Sequence, residues 1–361
     1  MRSRSSGSEV TLVEAVPNFS EGRDPAVIDA IAAALDGGGA RVLHIDPNAD
    51  AHRTVITLAG PLDAVTAALK RGIREAVARI DMRTHRGAHL RVGAADVVPI
   101  VPLPFTAAAV QSCVEAVQTL GHELAAELGL PIYLYERSAL RGGYAALPRC
   151  RRGGYEALEA RWADAAGQPD LGPKAWGPGP ARTGATVLGV RDVLVAMNFT
   201  LNSTDEALAR GIARALRPAG PADRPHRRAA LRTVGWTMDG YDGRVQVSTN
   251  LLNVRVTSAW EVFQAVSDLA AEGSAEVVGA ELIGLVPAKV LTDAASAASG
   301  VAPPGWEEGA ILNAASGNDV AALRDGAGAL RIDHLGGGIS TADIQSRTLE
   351  GGLARVGFWT G

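Results

Sequence analysis

The stretch RVLHIDPNADAHRTVITLAGPLDAVTAALKRGIREAVARI, Arg41–Ile80, decides the fold. It begins with two runs rich in β-branched and apolar residues, at 41–46 and 53–60, which predict two strands joined by a short loop. Apolar residues then recur every three to four positions from 62 to 80, which predicts a long amphipathic helix. A strand precedes this stretch, followed by a helix that Asp24 can cap and whose first turn accommodates Pro25. A further strand follows the stretch at 96–103. The order is therefore βαββαβ, as in ferredoxin-like folds.

The same order returns in the second half of the chain. A strand predicted at 192–201 is followed by a helix, for which Ser203 and Glu206 have the spacing of a capping box. Two more strands, joined through the turn signal DGYDG, then a helix and a strand complete the repeat. The sequence thus predicts an α/β (α+β) fold of two ferredoxin-like βαββαβ subdomains with a cleft between them.

These patterns also predict the domain boundaries. Composition changes to Ala, Gly and Ser after Asp293, where a short helix at 319–325 and a strand at 329–332 are the elements expected. The predicted parts are a disordered tail at 1–10, an N-terminal subdomain at 11–186, a C-terminal subdomain at 187–293 and a divergent C-terminal extension at 294–361.

Bulk composition limits the class of protein. The chain has 361 residues, of which 47% are hydrophobic, enough for two cores. A net charge of -4 argues against a nucleic-acid partner. Two cysteines are too few for a disulfide framework and suit a reducing cytosol. No apolar run reaches the about 20 residues needed to cross a bilayer, so a membrane is not an expected partner.

One short segment, HRGAHLRVGAADV at 85–97, concentrates chemistry-bearing residues. His85 and His89 are four apart, and on a helix this spacing would put both on one face, as in zinc sites. Gly87 and Gly93 interrupt such a helix, however, so we expect a loop and no metal.

In a loop, the cationic neighbours Arg86 and Arg91 would lower the pKa of a histidine and keep it neutral near pH 7. A neutral imidazole can accept a proton from an attacking amine and later return it. The alternative interpretation is a basic surface turn without catalytic function.

Three further clusters are candidate ligand-binding sites. The first cluster follows a strand, and polar groups at strand ends often bind ligands. The second contains an arginine, which can form a bidentate pair with a carboxylate. The third places polar residues inside a strand, where they need hydrogen-bond partners. Each cluster also has a structural interpretation, namely a helix cap, a solvated hairpin tip or cross-strand bonding. The candidates are Asn18, Ser20 and Glu21 in PNFSEG, Asp46 and Arg53 in IDPNADAHRT, and Gln246, Ser248 and Asn250 in QVSTNLLN.

Taken together and in this order, these segments resemble the formimidoyltransferase (glutamate formiminotransferase) family. The block at 81–102 is similar to the family signature D-M-x-x-H-K-G-E-H-P-R-M-G-A-x-D-V. The resemblance is collinear over most of the chain, which makes it more specific than any single motif. The blocks that carry it are VEAVPNFSEGRDPAVIDAI at 13–31, DMRTHRGAHLRVGAADVVPIVP at 81–102, LPIYLYE at 130–136, QVSTNLL at 246–252 and VVGAELIGLVP at 277–287.

The resemblance implies two α/β subdomains and a cytoplasmic transferase of histidine and one-carbon metabolism. Such an enzyme moves a formimidoyl group between N-formimidoyl-glutamate and tetrahydrofolate, which is its co-substrate. The family's catalytic histidine falls on His89, and its acidic residue falls on Asp46. Members often form homodimers, so a second copy is one partner to expect. The resemblance places folate- and substrate-binding residues at Arg53, Arg91, Gly172, Trp176 and Gly184.

The signature is not fully preserved. Ala88 stands where the family has Glu, and Leu90 stands where it has Pro. Two other functions therefore stay open on the same scaffold. One is a hydrolase or cyclase of a biosynthetic pathway, with or without a metal. The other is a module that binds folate or a carboxylate and has lost catalysis.

Overall fold

The structure, a computed structural model, forms two compact units. Among the described residues, the first comprises those at 11–42 and 52–191, and the second comprises those at 43–51 and from 192 to 358. The tail predicted to be disordered, 1–10, lies outside the described residues. The described residues are 11–219, 223–237, 242–306, 311–312, 320–332 and 345–358.

The first unit contains the first βαββαβ order, apart from most of its second strand, together with the elements that follow it. Its strands are β1 Leu12–Ala15, β2 Asn18–Phe19, β4 Arg53–Pro61, β5 Val97–Leu103, β6 Ile132–Glu136 and β7 Thr186–Val190. Strand β3, Arg41–Asn48, lies mostly in the second unit. The helices of the first unit are α1 Pro25–Leu35, α2 Leu62–Arg79, α3 Ala107–Leu128, α4 Leu147–Cys150, α5 Leu158–Trp162 and α6 Pro178–Thr183.

Strand β1 occupies the centre of the first sheet, whose order includes β2-β4-β1-β5-β7-β6. It pairs antiparallel with β4 on one side and with β5 on the other, as the first strand of a ferredoxin-like unit does. Beyond β5 the strands β7 and β6 run parallel to it. On this side the sheet thus extends the βαββαβ unit by two strands, and the short β2 adds a third beside β4.

Helices α1, α2 and α3 pack side by side over this sheet. Asp24 caps α1 through a bond from the Ala26 N–H, and Pro25 follows it, as the sequence predicts. The apolar stripe of α2, which includes Leu69 and Ile73, is fully buried against residues of β4 such as Ile56. This core holds the ends of β2 and β5 in place, where the candidate site lies.

The second unit repeats the order. Its strands are β8 Val195–Leu201, β9 Leu231–Thr237, β10 Val245–Leu251 and β11 Val277–Ile283. Its helices are α7 Glu206–Leu216, α8 Ala259–Glu272, α9 Ala288–Ala298, α10 Val320–Ala329 and α11 Leu349–Arg355.

The second sheet has the order β11-β8-β10-β9, and all its pairs are antiparallel. This is the ferredoxin-like arrangement, and the two sheets with their helices confirm the predicted α+β class. The residues of β10 alternate between two faces. Val247 is fully buried in the core, whereas Ser248 and Asn250 on the other face are half-buried.

Two local predictions were wrong. Helix α7 begins at Glu206 and is capped by Asp205, whereas Ser203 accepts the Asp205 N–H through its hydroxyl. Asp205 is the cap because its carboxylate is two residues closer to the first free N–H groups of the helix. Near the end of the chain, α10 extends to Ala329, and of the strand predicted at 329–332 only Ile332 pairs, in an isolated parallel bridge with Ala280. Among the helices of the described residues, none combines the length and apolar character of a membrane span.

Candidate active site

The two histidines of the signature lie in an irregular segment, 80–96, between α2 and β5. Helix α2 ends at Arg79, and the guanidinium of Arg182 donates to two carbonyl oxygens of its last turn, at 2.6 Å each. These bonds satisfy acceptors that a helix end leaves unpaired. The predicted loop around His85 and His89 is therefore confirmed.

The end of this loop is fixed from both sides by backbone contacts. Ser20, which is buried, donates through Oγ to the Gly93 carbonyl at 2.8 Å and through its N–H to the Ala94 carbonyl at 2.9 Å. On the other side, the Ala94 N–H donates to the Thr183 carbonyl at 2.9 Å. Ser20, a predicted ligand-binding residue, thus connects β2 to the loop.

Glu21 organises the turn after β2. Its Oε1 accepts the N–H groups of Arg23 and Asp24 at 2.8 and 3.1 Å, and it lies 3.0 Å from Nε2 of His52. Burial alone would raise the pKa of Glu21, but these N–H groups and the His52 ring hold it below its ordinary value. The nearby Asn18 side chain donates to the Val16 carbonyl at 3.1 Å.

His52 adopts a left-handed backbone conformation, with φ of 47°. Its Nδ1 lies 2.8 Å from the carbonyl oxygen of Arg86, and its Nε2 faces the Glu21 carboxylate. Both contacts are hydrogen bonds when the ring carries two N–H groups, because both partners are acceptors. The ring also stacks on that of His85, with centroids 4.2 Å apart.

His85 is a buried, neutral histidine with a fixed tautomer. Its Nε2–H donates to the His52 carbonyl at 2.9 Å, and its Nδ1 accepts from Nε of Arg91 at 3.0 Å. Burial, together with the charges of His52 and Arg91, lowers the pKa of His85 to about 4. Because both ring nitrogens are engaged, His85 offers no lone pair to a metal ion.

Arg91 is the centre of this network. Its two Nη atoms donate to the Glu156 carboxylate at 2.8 and 2.6 Å, a bidentate pair. The Arg91 side chain is only 8% exposed, whereas that of Glu156 is 59% exposed. The arginine that the resemblance assigns to substrate is therefore paired with a carboxylate of the chain itself.

His89 lies on a second buried ion pair. Its Nδ1 is 3.5 Å from Nη2 of Arg151, and the same Nη2 is 2.9 Å from Oδ2 of Asp96. The other Asp96 oxygen accepts the Val92 N–H at 2.8 Å. The Asp96 side chain is 1% exposed and that of Arg151 is 13% exposed, while His89 is partly open to solvent.

Electrostatics keep the His89 ring neutral. Burial lowers the pKa of His89 well below its ordinary value, and the positive charges of Arg53, Arg151 and Arg91 lower it further. A lowered histidine pKa agrees with the sequence prediction, although the neighbouring charges come from Arg53 and Arg151 where Arg86 was expected. Burial also raises the pKa of the Asp96 carboxyl, against the opposing effect of Arg151.

Replacing Glu21 by Gln tests this network. The variant keeps the shape but loses the charge that His52 and the backbone N–H groups stabilise. We expect the free energy of unfolding at pH 7 to fall by about 1.5 kcal/mol, since bonds to charged groups are worth about that much. The folded-state pKa of Glu21 is lowered, so the stabilisation is present above the unfolded-state pKa and lost as pH falls through the folded-state pKa.

Urea unfolding at pH 7 and at acidic pH, with exposed Glu159→Gln as control, measures this difference. Equal stability of Glu21→Gln and the unchanged chain at pH 7 would contradict the assigned role of Glu21.

The Gly/Pro-rich segment after α5 has clear packing roles. Gly172 has a φ of 79°, and a Cβ there would lie 2.4 Å from the Leu130 carbonyl oxygen. Trp176 is half-buried against the rings of Tyr155 and Trp162, with centroids 5.9 and 5.3 Å away. Gly184 closes α6 at the backbone of the site loop, and its assignment to folate, like those of Gly172 and Trp176, stays a prediction.

Arg53 begins β4 in the first unit, and the remaining predicted residues lie in the second unit. Asp46, in β3, accepts the N–H of Gly284 at 3.0 Å. Gln246 is fully buried, and its amide bonds to Thr200 at 3.0 Å and to the indole N–H of Trp236 at 3.2 Å. Cross-strand partners therefore satisfy Gln246, whereas Ser248 and Asn250 are half-buried on the same face. The assignment of these residues to a ligand stays a prediction.

Several residues of the site were missed by the sequence prediction. Arg151 and Glu156 come from RRGGYE, far from the signature in sequence. Gly153 and Gly154 have φ values of 75° and 71°, which turns the chain and brings both charged side chains to the loop. Paired glycines flanked by charges are a weak signal for such a turn. Asp96 lies inside the signature itself, but nothing local shows that it is buried.

The chain matches two family models. The "Formiminotransferase domain, N-terminal subdomain" matches residues 12–191, and the "Formiminotransferase domain" matches residues 196–298. Both matches fall on the parts that the structure folds into sheets.

Curated relatives agree with these models. The chain is 44% identical to the formimidoyltransferase-cyclodeaminase of Sus scrofa, over 79% of this chain and 52% of that protein. It thus spans about half the length of such relatives. It is 34% identical to the glutamate formimidoyltransferase of Thermoplasma acidophilum, over 84% of this chain and 96% of that protein. The glutamate formimidoyltransferase of Streptococcus pyogenes is also 34% identical, over 79% of this chain and 92% of that protein.

The matched blocks include the loop of His85 and His89, the β2 turn and the QVSTNLL strand. Two domain models in the correct order and near-full-length relatives thus agree with the resemblance seen in the sequence, and the chain belongs to the formimidoyltransferase family.

Proposed function

We propose that the chain transfers a formimidoyl group between N-formimidoyl-glutamate and tetrahydrofolate, and that His89 carries the proton. The observation that supports this best is the environment of His89. A neutral imidazole, partly open to solvent and surrounded by arginines, lies in the signature loop of a formimidoyltransferase-family chain. Such a ring can both take and return a proton at neutral pH.

The charges around His89 suit both substrates. N-formimidoyl-glutamate and the glutamate tail of tetrahydrofolate carry carboxylates, which guanidinium groups bind in a bidentate manner. Arg53, Arg91 and Arg151 all act electrostatically on His89. Trp176 is half-buried and offers an aromatic surface in the same unit. These residues fit a folate with an anionic tail.

Tetrahydrofolate supplies the secondary amine that receives the transferred group. His89 takes the proton that this nitrogen loses as its bond to the amidine carbon forms. His89 then returns the proton to the glutamate nitrogen as the bond between that nitrogen and the amidine carbon breaks. A low pKa favours the return, because an imidazolium among arginines is a strong acid. Glutamate and formimidoyl-tetrahydrofolate are the products, and His89 ends as it began.

Other parts of the proposal rest on the resemblance. Asp46 is proposed to orient the His89 ring, and a cytoplasmic location, a homodimer and a place in histidine breakdown are proposed on the same ground. The residues proposed to contact substrate or folate are Asn18, Ser20, Glu21, Arg53, Arg91, Gly172, Trp176, Gly184, Gln246, Ser248 and Asn250.

A two-substrate assay tests the activity. The purified chain, given N-formimidoyl-glutamate and tetrahydrofolate, is expected to release glutamate and form formimidoyl-tetrahydrofolate in equal amounts, and to do neither with one substrate alone. Release of glutamate without folate would replace the proposal with a hydrolase. Folate binding, measured by titration, without any turnover would replace it with a binding module.

A further inference from the structure

Arg151 is poorly satisfied where it lies. Its guanidinium is mostly buried, and its Nη2 lies 2.9 Å from Oδ2 of Asp96, an ion pair without hydrogen-bond geometry, and 3.5 Å from Nδ1 of His89. Its Nε is buried and has no hydrogen-bond acceptor among the described residues. A buried guanidinium with an unused donor and one long bond is a group to which an anion can add favourably.

The contact with Arg151 determines what His89 can do. A guanidinium only donates, so Nδ1 must be the unprotonated nitrogen of the ring, and the proton of the neutral ring must be on Nε2. In this tautomer the one lone pair of the ring faces a cation, and Nε2 has none to offer. While the contact persists, His89 is therefore a poor proton acceptor.

A carboxylate is a better partner for Arg151 than the imidazole is. A carboxylate brings an opposite charge and can accept two parallel N–H bonds from a guanidinium, whereas the neutral imidazole offers one lone pair at 3.5 Å. Arg91 is a weaker competitor, because a ligand would first have to displace Glu156, which binds it through both carboxylate oxygens. Asp96 contacts Arg151 through Oδ2, while its Oδ1 accepts the Val92 N–H, so Asp96 does not form a bidentate pair with Arg151.

We propose that Arg151 receives a carboxylate of the ligand, which replaces Nδ1 of His89 as its partner and thereby frees the ring for proton transfer. The reaction that this serves rests on the proposed function, but the exchange of partners does not. The consequence is a specificity device, because a ligand without the carboxylate leaves His89 bonded to Arg151.

The exchange also changes the charge around His89. The groups that act on its ring are the three arginines already named, together with His85. A carboxylate placed on Arg151 offsets one of these positive charges. His89 is then expected to titrate at a higher pH than it does without the carboxylate.

The test uses glutarate, a dicarboxylate, and glutaramide, its uncharged counterpart. In the full chain labelled with nitrogen-15 histidine, nuclear magnetic resonance reports the tautomer and titration of His89 without any turnover. We expect glutarate to shift the His89 ring signals away from the Nε2–H tautomer and to move their titration to higher pH, while glutaramide changes neither. Unchanged signals with glutarate, or equal changes with both compounds, would overturn the proposal.

Variants then locate the effect. Arg151→Gln is expected to abolish the response to glutarate, whereas Arg152→Gln, which removes the charge of the exposed neighbour, keeps it. In the transfer assay, Arg151→Gln should raise KM about tenfold, through loss of a charged bond. The same response to glutarate in Arg151→Gln would overturn the assignment. The glutarate–glutaramide comparison in the unchanged chain remains decisive even if Arg151→Gln does not fold, and even if the chain shows no transferase activity.

Discussion

Replacing His89 by Ala is expected to lower kcat for formimidoyl transfer by about 100-fold or more, since proton transfer by a positioned side chain contributes at least that much. The stability of the chain should change little, because the ring is partly open to solvent and its hydrogen-bond contact within the described residues is the 3.5 Å contact with Arg151. Steady-state kinetics and urea unfolding of the same preparations measure both quantities.

The separate effects on kcat and KM distinguish a role of His89 in the chemical step from a role in substrate binding. A residue that acts in the chemical step lowers kcat and kcat/KM together, whereas a residue that only binds substrate raises KM. His122→Ala is a suitable control, because His122 is an exposed histidine of α3. A His89→Ala variant that retains more than a tenth of kcat would contradict proton transfer by this ring, although the family membership of the chain would stand.

The pH profile adds an independent check. A base must be neutral to act, and the lowered pKa of His89 keeps it neutral further into the acidic range than an ordinary histidine. The acidic limb of kcat/KM should therefore lie below the usual titration range of histidine. An acidic limb at or above that range would assign the base to another group.

The fold was largely predictable because its signals are local. Hydrophobic periodicity, β-branched runs and the cap at Asp24 each depend on a few neighbouring residues, and they agree with one another over both repeats. The α7 cap was assigned to the wrong residue because Ser203 and Asp205 both have capping side chains and differ by only two positions.

The site was predictable only in part, because several of its contacts join residues that are far apart in the sequence. That His89 would be neutral and close to arginines followed from its own loop. That Arg151 would be the arginine in contact with it depends on a turn at Gly153 and Gly154 and on a carboxylate buried at Asp96. Such long-range pairs are determined by the packing of the whole unit, so no window of sequence around His89 contains them.

Substituting Gly184 by Ala is expected to destabilise the first unit by about 3 kcal/mol. Its φ of 67° and ψ of -150° lie in a region that is essentially restricted to glycine and costs other residues about 1–3 kcal/mol. A Cβ would also lie 2.1 Å from the Val92 carbonyl oxygen and 2.5 Å from Cα of Gly93, so the backbone must move, at a further cost of about 1–3 kcal/mol.

Gly129→Ala provides the matched control for this prediction. Gly129 ends α3 with a φ of 59°, and a Cβ there would meet no atom within 4 Å. Its replacement should cost only the left-handed backbone penalty of about 1 kcal/mol, so the difference between the two variants reports the contact with the Val92–Gly93 backbone together with the stricter backbone region of Gly184. Because that contact fixes the end of the loop that carries His89 and Arg91, Gly184→Ala should also lower kcat, measured below its unfolding temperature. Equal stability of the two variants would show that the loop yields at little cost and that its position does not depend on this approach of two backbones.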